Sequence, residues 1–222
     1  MLNELIFELK SRGASFVKTA DISMLPEKEN RGYHTAILIG IILSPEFILD
    51  FSKGNMSVRS EYGNKEHLTQ ELSEWAADFI ARKGFKAFAQ SDGNIINGYF
   101  EEATKTSVLP HKKIAILSGV GWIGKNNLLI TEEYGCALCI GTVLTNAPLP
   151  IENRQMVMPK CGGCTVCKDI CPVNVIHGTT WEPGMNRDLI VDVYHCECCL
   201  KCLVHCPRTQ HYMESYIQHK AN

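Results

Sequence analysis

One cysteine pattern occurs twice in this chain, and it limits the possible folds more than any other feature. Cys161-x2-Cys164-x2-Cys167-x3-Cys171-Pro172 recurs as Cys196-x2-Cys199-x2-Cys202-x3-Cys206-Pro207. A run of three cysteines at this spacing wraps three thiolates around one iron–sulfur cubane, and the fourth, followed by proline, points away to ligate the other. The spacing therefore predicts two 4Fe–4S clusters with crossed ligands. Cys161, Cys164, Cys167 and Cys206 would hold one; Cys196, Cys199, Cys202 and Cys171 would hold the second. Gly162 and Gly163 lend the first run the backbone freedom to wrap. The crossing would also staple a segment whose own apolar core is marginal. Zinc is the competing metal, but a four-ligand zinc site has no need of the x3-Cys-Pro tail twice.

The chain has 222 residues and 11 cysteines, an odd number that leaves one thiol over in any all-disulfide scheme. Three lie outside the repeat. Cys136-x2-Cys139 is a lone pair for which packing is expected, a third metal or redox role being the alternative. Cys198 sits among the ligands and is an alternative to Cys196 or Cys199. Histidines near the cysteines, His195 and His205 among them, are read as surface groups, since eight thiolates complete both clusters. Lys+Arg is 22 against Asp+Glu 24, so no basic surplus announces nucleic acid or an anionic membrane. The N-terminus alternates apolar and charged residues at helical spacing without the apolar core of a signal peptide. The most apolar run, residues 36–43, is too short to span a membrane. A cytoplasmic protein is expected.

Along the first 150 residues helical and strand patterns alternate. Residues 2–13 and 67–83 carry apolar residues at helical spacing. Residues 16–18, 36–43 and 85–89 read as strands, and 113–117 (KIAIL) as a further one. Residues 128–131 and 141–144 read as a hairpin. Beyond about residue 150 the chain turns cysteine-rich and poor in long apolar runs.

Gly119, Gly121 and Gly124 stand at G-x-G-x-x-G spacing, with Lys125 behind. A dinucleotide fingerprint also needs a following helix and an acid about twenty residues on, and both are missing. A phosphate loop needs four residues before Gly-Lys and then Ser or Thr; here there are two, then Asn126. A tight packing turn with Trp122 as its anchor is the plain alternative.

The run Gly119-Val-Gly-Trp-Ile-Gly-Lys-Asn126, then Leu129-Ile-Thr-Glu-Glu-Tyr-Gly135, then Thr145-Asn-Ala-Pro148, then the double cysteine motif, resembles the epoxyqueuosine reductase family over residues 105–207. The stretch with Gly178, Trp181, Gly184 and Arg187 is similar to the short members of that group. The resemblance implies an α/β domain holding cobalamin or another corrinoid with no side chain on the lower cobalt face, beside a ferredoxin-like two-cluster domain; the same pair occurs in reductive dehalogenases. It also implies that Gly119, Gly121, Trp122, Gly124, Lys125 and Asn126 lie at the corrinoid. Full-length members carry a proton-donating Asp fourteen residues before the first Gly of the loop, and here that position is Lys105. Glu101, Glu102 and His111 lie near it, read as ordinary surface charges or helix caps. Tyr62 and Tyr134 are read as packing residues.

The expected fold is α+β: an α/β cofactor-binding domain over residues 1–152, then a small ferredoxin-like double 4Fe–4S domain over 153–222. The expected function is an iron–sulfur reductase passing electrons from a donor such as a ferredoxin or flavodoxin to a bound corrinoid, acting on a small-molecule substrate. The alternative is a two-cluster electron-transfer protein that reduces a partner, such as a corrinoid protein, and has no substrate of its own. The charge and the chain's end soon after Pro207 argue against tRNA as a partner.

Overall fold

In a computed structural model of the chain, residues 1–152 and 155–221 are described. They group into two compact units. The first takes Met1–Ile41, Gly63–Val120 and Cys139–Met156; the second takes Ile42–Tyr62, Gly121–Leu138 and Val157–Asn222. The chain does not group as one cut at 152/153: two internal segments join the cysteine-bearing part. The expected cut also falls against Asn153 and Arg154, which lie outside the described residues.

The first unit is built on a four-stranded sheet in the order Phe16–Asp21, Thr35–Ile42, Leu138–Thr145, Ala87–Ala89. Phe16–Asp21 pairs antiparallel with Thr35–Ile42, Phe16 facing Gly40, and Ala87–Ala89 pairs antiparallel with Leu138–Thr145. Thr35–Ile42 and Leu138–Thr145 are buried at nearly every position, which is why they read as unbroken apolar runs rather than alternating ones. The helices Leu2–Ser11 and Ser60–Arg82 give Leu5, Leu9, Leu72, Ala76, Phe79 and Ile80 to the core, where they meet Ile37, Ile39 and Val143 of the sheet. The second helix starts earlier than expected because its opening, SEYGNKEH, has no apolar stripe to announce it.

Two expected elements are corrected. Residues 113–117 belong to the helix His111–Leu117. Pro110 caps its start. It closes in a Schellman motif, with Gly119 N–H donating to Ile116 O (3.0 Å) and Val120 N–H to Ala115 O (3.3 Å). The β-branched residues that suggested a strand are instead its buried face, Ile114 and Ile116. Nor do residues 128–131 and 141–144 form a hairpin. Leu129–Ile130 pairs back with Trp122–Ile123, and Leu138–Thr145 is too apolar for a two-stranded ribbon and enters the main sheet.

The second unit buries Phe47, Ile48, Phe51, Trp122, Leu203 and Val204, and has a small cluster of Val175, Ile176 and Val191 against which Cys167, Cys171 and Cys202 pack. Its internal segments are tied in by named bonds. Ser44 caps the helix Pro45–Ser52 by accepting from Phe47 N–H (3.0 Å), and its own N–H and hydroxyl donate to Glu61 (2.7 and 2.8 Å). Tyr212 donates to Leu43 O (3.1 Å), and Arg59 donates to Cys198 O (2.8 Å). Among the described residues no helix is long and apolar enough to cross a membrane.

A polar network runs through the first unit. His111 Nδ1 lies 2.7 Å from the Thr142 hydroxyl, which accepts from Gln90 Nε2 (2.8 Å). Burial pushes the imidazole down to about 4, so His111 is neutral at pH 7. An unfolded histidine binds a proton below about 6.5, and this folded one resists until about 4. The unfolded state therefore holds more protons in that window, and stability falls as the pH drops through it. Urea unfolding from pH 7 to 4 is expected to show this loss, up to about 3 kcal/mol, and His111→Asn is expected to remove the histidine's share.

Candidate functional site

The first cysteine run lies in a turn with Gly162 at φ +51° and Cys164 N–H donating to Cys161 O (3.0 Å), followed by the short helix Val166–Asp169. The second run has two left-handed residues, Cys198 (φ +49°) and Leu200 (φ +62°), which bend it before the helical turn Lys201–Val204. A single cavity in the second unit is lined by Cys161, Cys164, Cys167 and Cys206, together with Lys125, Asn126, Ile130 and Pro207. Cys206, from the far end of the second run, thus lines the same space as the first three cysteines of the first run. The other thiols group around Cys202. Burial pushes Cys202 up to about 12, reinforced by Cys199, Cys167, Cys196 and Cys171. Burial likewise pushes Cys167 up to about 11, reinforced by Cys206, Cys161 and Cys164. Cys198 is exposed. Among the described residues no three or more His, Cys, Asp or Glu side chains converge for a lone metal ion; the thiols line a space rather than a point.

Cys206 differs from its neighbours. It immediately precedes the helix Pro207–Ala221, whose first free amides, those of Arg208 and Thr209, donate to its sulfur. A hydrogen bond from the Cys136 thiol, these amides and the Thr209 hydroxyl hold Cys206 below the usual thiol range despite its burial. Cys136 is pushed up, by that same bond and by its complete burial. Cys136 and Cys139 are both buried.

The glycine loop now has a structural account. Gly119 is the left-handed residue (φ +65°) that closes the helix His111–Leu117. A Cβ on Gly121 would stand 2.0 Å from Ile130 O, so only glycine permits the strand pairing there, and one on Gly124 would meet the Ile130 side chain at 2.4 Å. Trp122 is completely buried, the anchor of a tight turn. The loop follows a helix and enters a strand, the reverse of what a dinucleotide or phosphate loop requires. Lys125 and Asn126, expected at a corrinoid, direct their donors to the cysteine loops. Lys125 Nζ donates to Gly162 O (2.7 Å) and Cys164 O (3.1 Å). Asn126 Nδ2 donates to Cys202 O (3.1 Å) and Cys136 Sγ (3.4 Å).

Several contributors carried no sequence signal. Glu132 pairs with Lys160 and with Arg208 (3.2 Å), residues that flank Cys161 and Cys206 and whose charges both lie 5.8 Å from the Trp122 ring centre. Thr209 was silent too, although its place just inside a helix opened by Cys-Pro is the kind of signal that finds such donors. Lys105 lies at φ +49° between the paired strands Phe100–Glu101 and Thr106–Ser107 and is bonded to Glu102. Burial first, then Glu133, pushes Tyr134 up to about 12.

No family model matches the chain. An epoxyqueuosine reductase of Lactococcus garvieae is 31% identical over 149 residues, covering 61% of this chain and 42% of that protein, so the chain spans less than half of that relative. The epoxyqueuosine reductase structure from Streptococcus thermophilus aligns at TM-score 0.58 and 18% identity, over 95% of this chain and 66% of that one. A reductive dehalogenase, whose structure suggests a mechanism for B12-dependent dehalogenation, aligns at TM-score 0.59 and 19% identity, over 75% of this chain and 24% of that one. A further epoxyqueuosine reductase aligns at TM-score 0.52 and 16% identity, over 78% of this chain and 52% of that one, and was solved with an epoxyqueuosine-modified tRNA-Tyr stem loop. That finding overturns the expectation against tRNA. Net charge reports nothing about local patches, and the end of the chain carries no argument either. The chain has the mixed α/β fold of these reductases and dehalogenases, and in sequence it resembles the epoxyqueuosine reductases.

Proposed function

We propose that the chain is an iron–sulfur oxidoreductase of the epoxyqueuosine reductase type, with two crossed 4Fe–4S clusters delivering electrons to a corrinoid. The observation that carries this reading is the single cavity lined by Cys161, Cys164, Cys167 and Cys206. The donor set fits a cluster. Cys167 and Cys202, buried among thiols that raise their proton affinity, keep their protons unless a polycationic core sits beside them, and iron supplies that charge. Cys202, buried and raised by Cys199, Cys167, Cys196 and Cys171, supports the second site. Bound there, the clusters would supply one-electron transfer, and the corrinoid the hard reduction. The residues of the chain hold and orient: Lys125 fastens the carbonyls of the first run, Asn126 fastens Cys202 O, and the amides of Arg208 and Thr209 hold the Cys206 sulfur.

Support for the corrinoid comes from the likeness to a B12-dependent dehalogenase fold. The glycine spacing adds none, because Gly119, Gly121 and Gly124 are accounted for by helix closure and packing. By the relatives' names the first substrate to test is an epoxyqueuosine-modified tRNA stem loop. One observation favours the alternative of an electron-transfer protein: Lys105 stands where the family's proton-donating Asp is expected, and a lysine ammonium is a much weaker acid than a carboxyl group.

Cob(II)alamin binding separates the two readings. Titration of the reconstituted protein, followed by EPR, is expected to give a base-off cobalt signal saturating at about one equivalent, because no side chain is expected on the lower face. An unchanged cobalt spectrum would exclude the corrinoid enzyme and leave the electron carrier. In a second experiment, Cys198→Ala is expected to keep its full iron content, while Cys199→Ala loses about half of it. The opposite pattern would make Cys198 the ligand.

A further inference from the structure

We propose that Cys136 is a positioning residue for the cluster assigned to Cys161, Cys164, Cys167 and Cys206: its thiol donates a hydrogen bond to the Cys206 sulfur and raises the reduction potential of that cluster alone. The inference rests on the two-cluster reading above.

Four observations converge on this sulfur. Cys136 is 2% exposed, so its S–H has no water to turn to. Asn126 Nδ2 donates to Cys136 Sγ (3.4 Å), which occupies the acceptor side of that sulfur and leaves its proton for Cys206, the thiol it is bonded to. The backbone fixes this placement. Cys136 N–H donates to Thr209 Oγ1 (2.9 Å), and the Thr209 hydroxyl in turn serves Cys206. Finally, Gly135 at φ +56° lets the segment press onto the start of the last helix. A Cβ there would stand 2.3 Å from Thr209 N and 2.6 Å from Arg208 C. Only glycine at 135 brings residue 136 to the sulfur.

Hydrogen bonds to cluster sulfurs stabilise the more negative reduced state, so each donor raises the potential. The amides of Arg208 and Thr209 come with the helix and serve any residue at 206. The Cys136 thiol is an added donor on one ligand, Cys206, whereas Cys202 of the second site acts on Cys136 through its charge. The effect of that donor is therefore selective, separating the potentials of two otherwise similar clusters and setting a direction for electron flow between them.

The test is a spectroelectrochemical redox titration of the anaerobically reconstituted full chain, with iron counted first, in wild type, Cys136→Ala and Cys136→Ser. All three are expected to hold about eight irons. In Cys136→Ala one of the two midpoint potentials is expected to fall while the other stays; in Cys136→Ser, whose hydroxyl still donates, that potential is expected at or above the wild-type value. Unchanged potentials in the alanine chain, or equal falls in both variants, would overturn the proposal and leave the two-cluster reading intact. Should the alanine chain lose iron, the serine chain decides: a potential below wild type overturns the proposal. A wild-type chain that takes up no iron would overturn both readings together.

Discussion

The second unit depends on one long-range closure: the sulfur of Cys206 lies in the same cavity as those of Cys161, Cys164 and Cys167. Apolar residues such as Phe47, Ile48, Trp122, Leu203 and Val204 are buried in this unit, while the cluster of Val175, Ile176 and Val191 beside Cys167, Cys171 and Cys202 is small. Polar clamps fasten the loop ends. Lys125 binds two carbonyls of the first run, Asn126 binds one of the second, and Glu132 bridges Lys160 and Arg208 on either side of the cavity. The Glu132 pairs are exposed and each contributes little. Lys125 is almost fully buried, and its bonds stand in a less polar setting where they count for more. Metal that bridges both runs would add the loop-closure entropy of the intervening chain to the stability of the unit.

The glycine-rich segment serves this closure. Its spacing invites comparison with nucleotide loops, yet each glycine answers to a local demand: a left-handed helix end at Gly119, a carbonyl at Gly121, a side chain at Gly124. The turn so formed carries Trp122 into the core and sets Lys125 and Asn126 against the cysteine loops. A motif of glycines at familiar intervals thus becomes the support for a motif of cysteines.

What was legible in the sequence was what has a fixed spacing. The eight repeat cysteines stand out by their intervals alone, and their crossed grouping belongs to the proposed function; Trp122, expected at a corrinoid or else as the anchor of a tight turn, is buried. The helices 2–13 and 67–83 and the strand 36–43 were visible because an apolar stripe or an unbroken apolar run marks them. The rest was hidden for physical reasons. KIAIL has strand composition, but its fate is decided by Pro110 and the left-handed Gly119 at its ends. Leu138–Thr145 looked like half of a hairpin because pattern alone does not say which strand lies beside it. The regrouping of Ile42–Tyr62 and Gly121–Leu138 with the cysteine segment rests on single bonds such as Tyr212 to Leu43 and Cys136 to Thr209, which leave no periodic trace. The expectation against tRNA failed because it drew on bulk charge, which is blind to where charges sit.

The central claim is the crossed ligation, and paired substitutions test it most directly. After anaerobic reconstitution, iron and acid-labile sulfide would be counted in Cys161→Ala/Cys206→Ala and in Cys161→Ala/Cys171→Ala. Crossed ligation predicts that the first pair removes ligands of one site only and leaves about four irons, while the second damages both sites and leaves almost none. The reverse pattern would show that each run closes on its own fourth cysteine and would contradict the account.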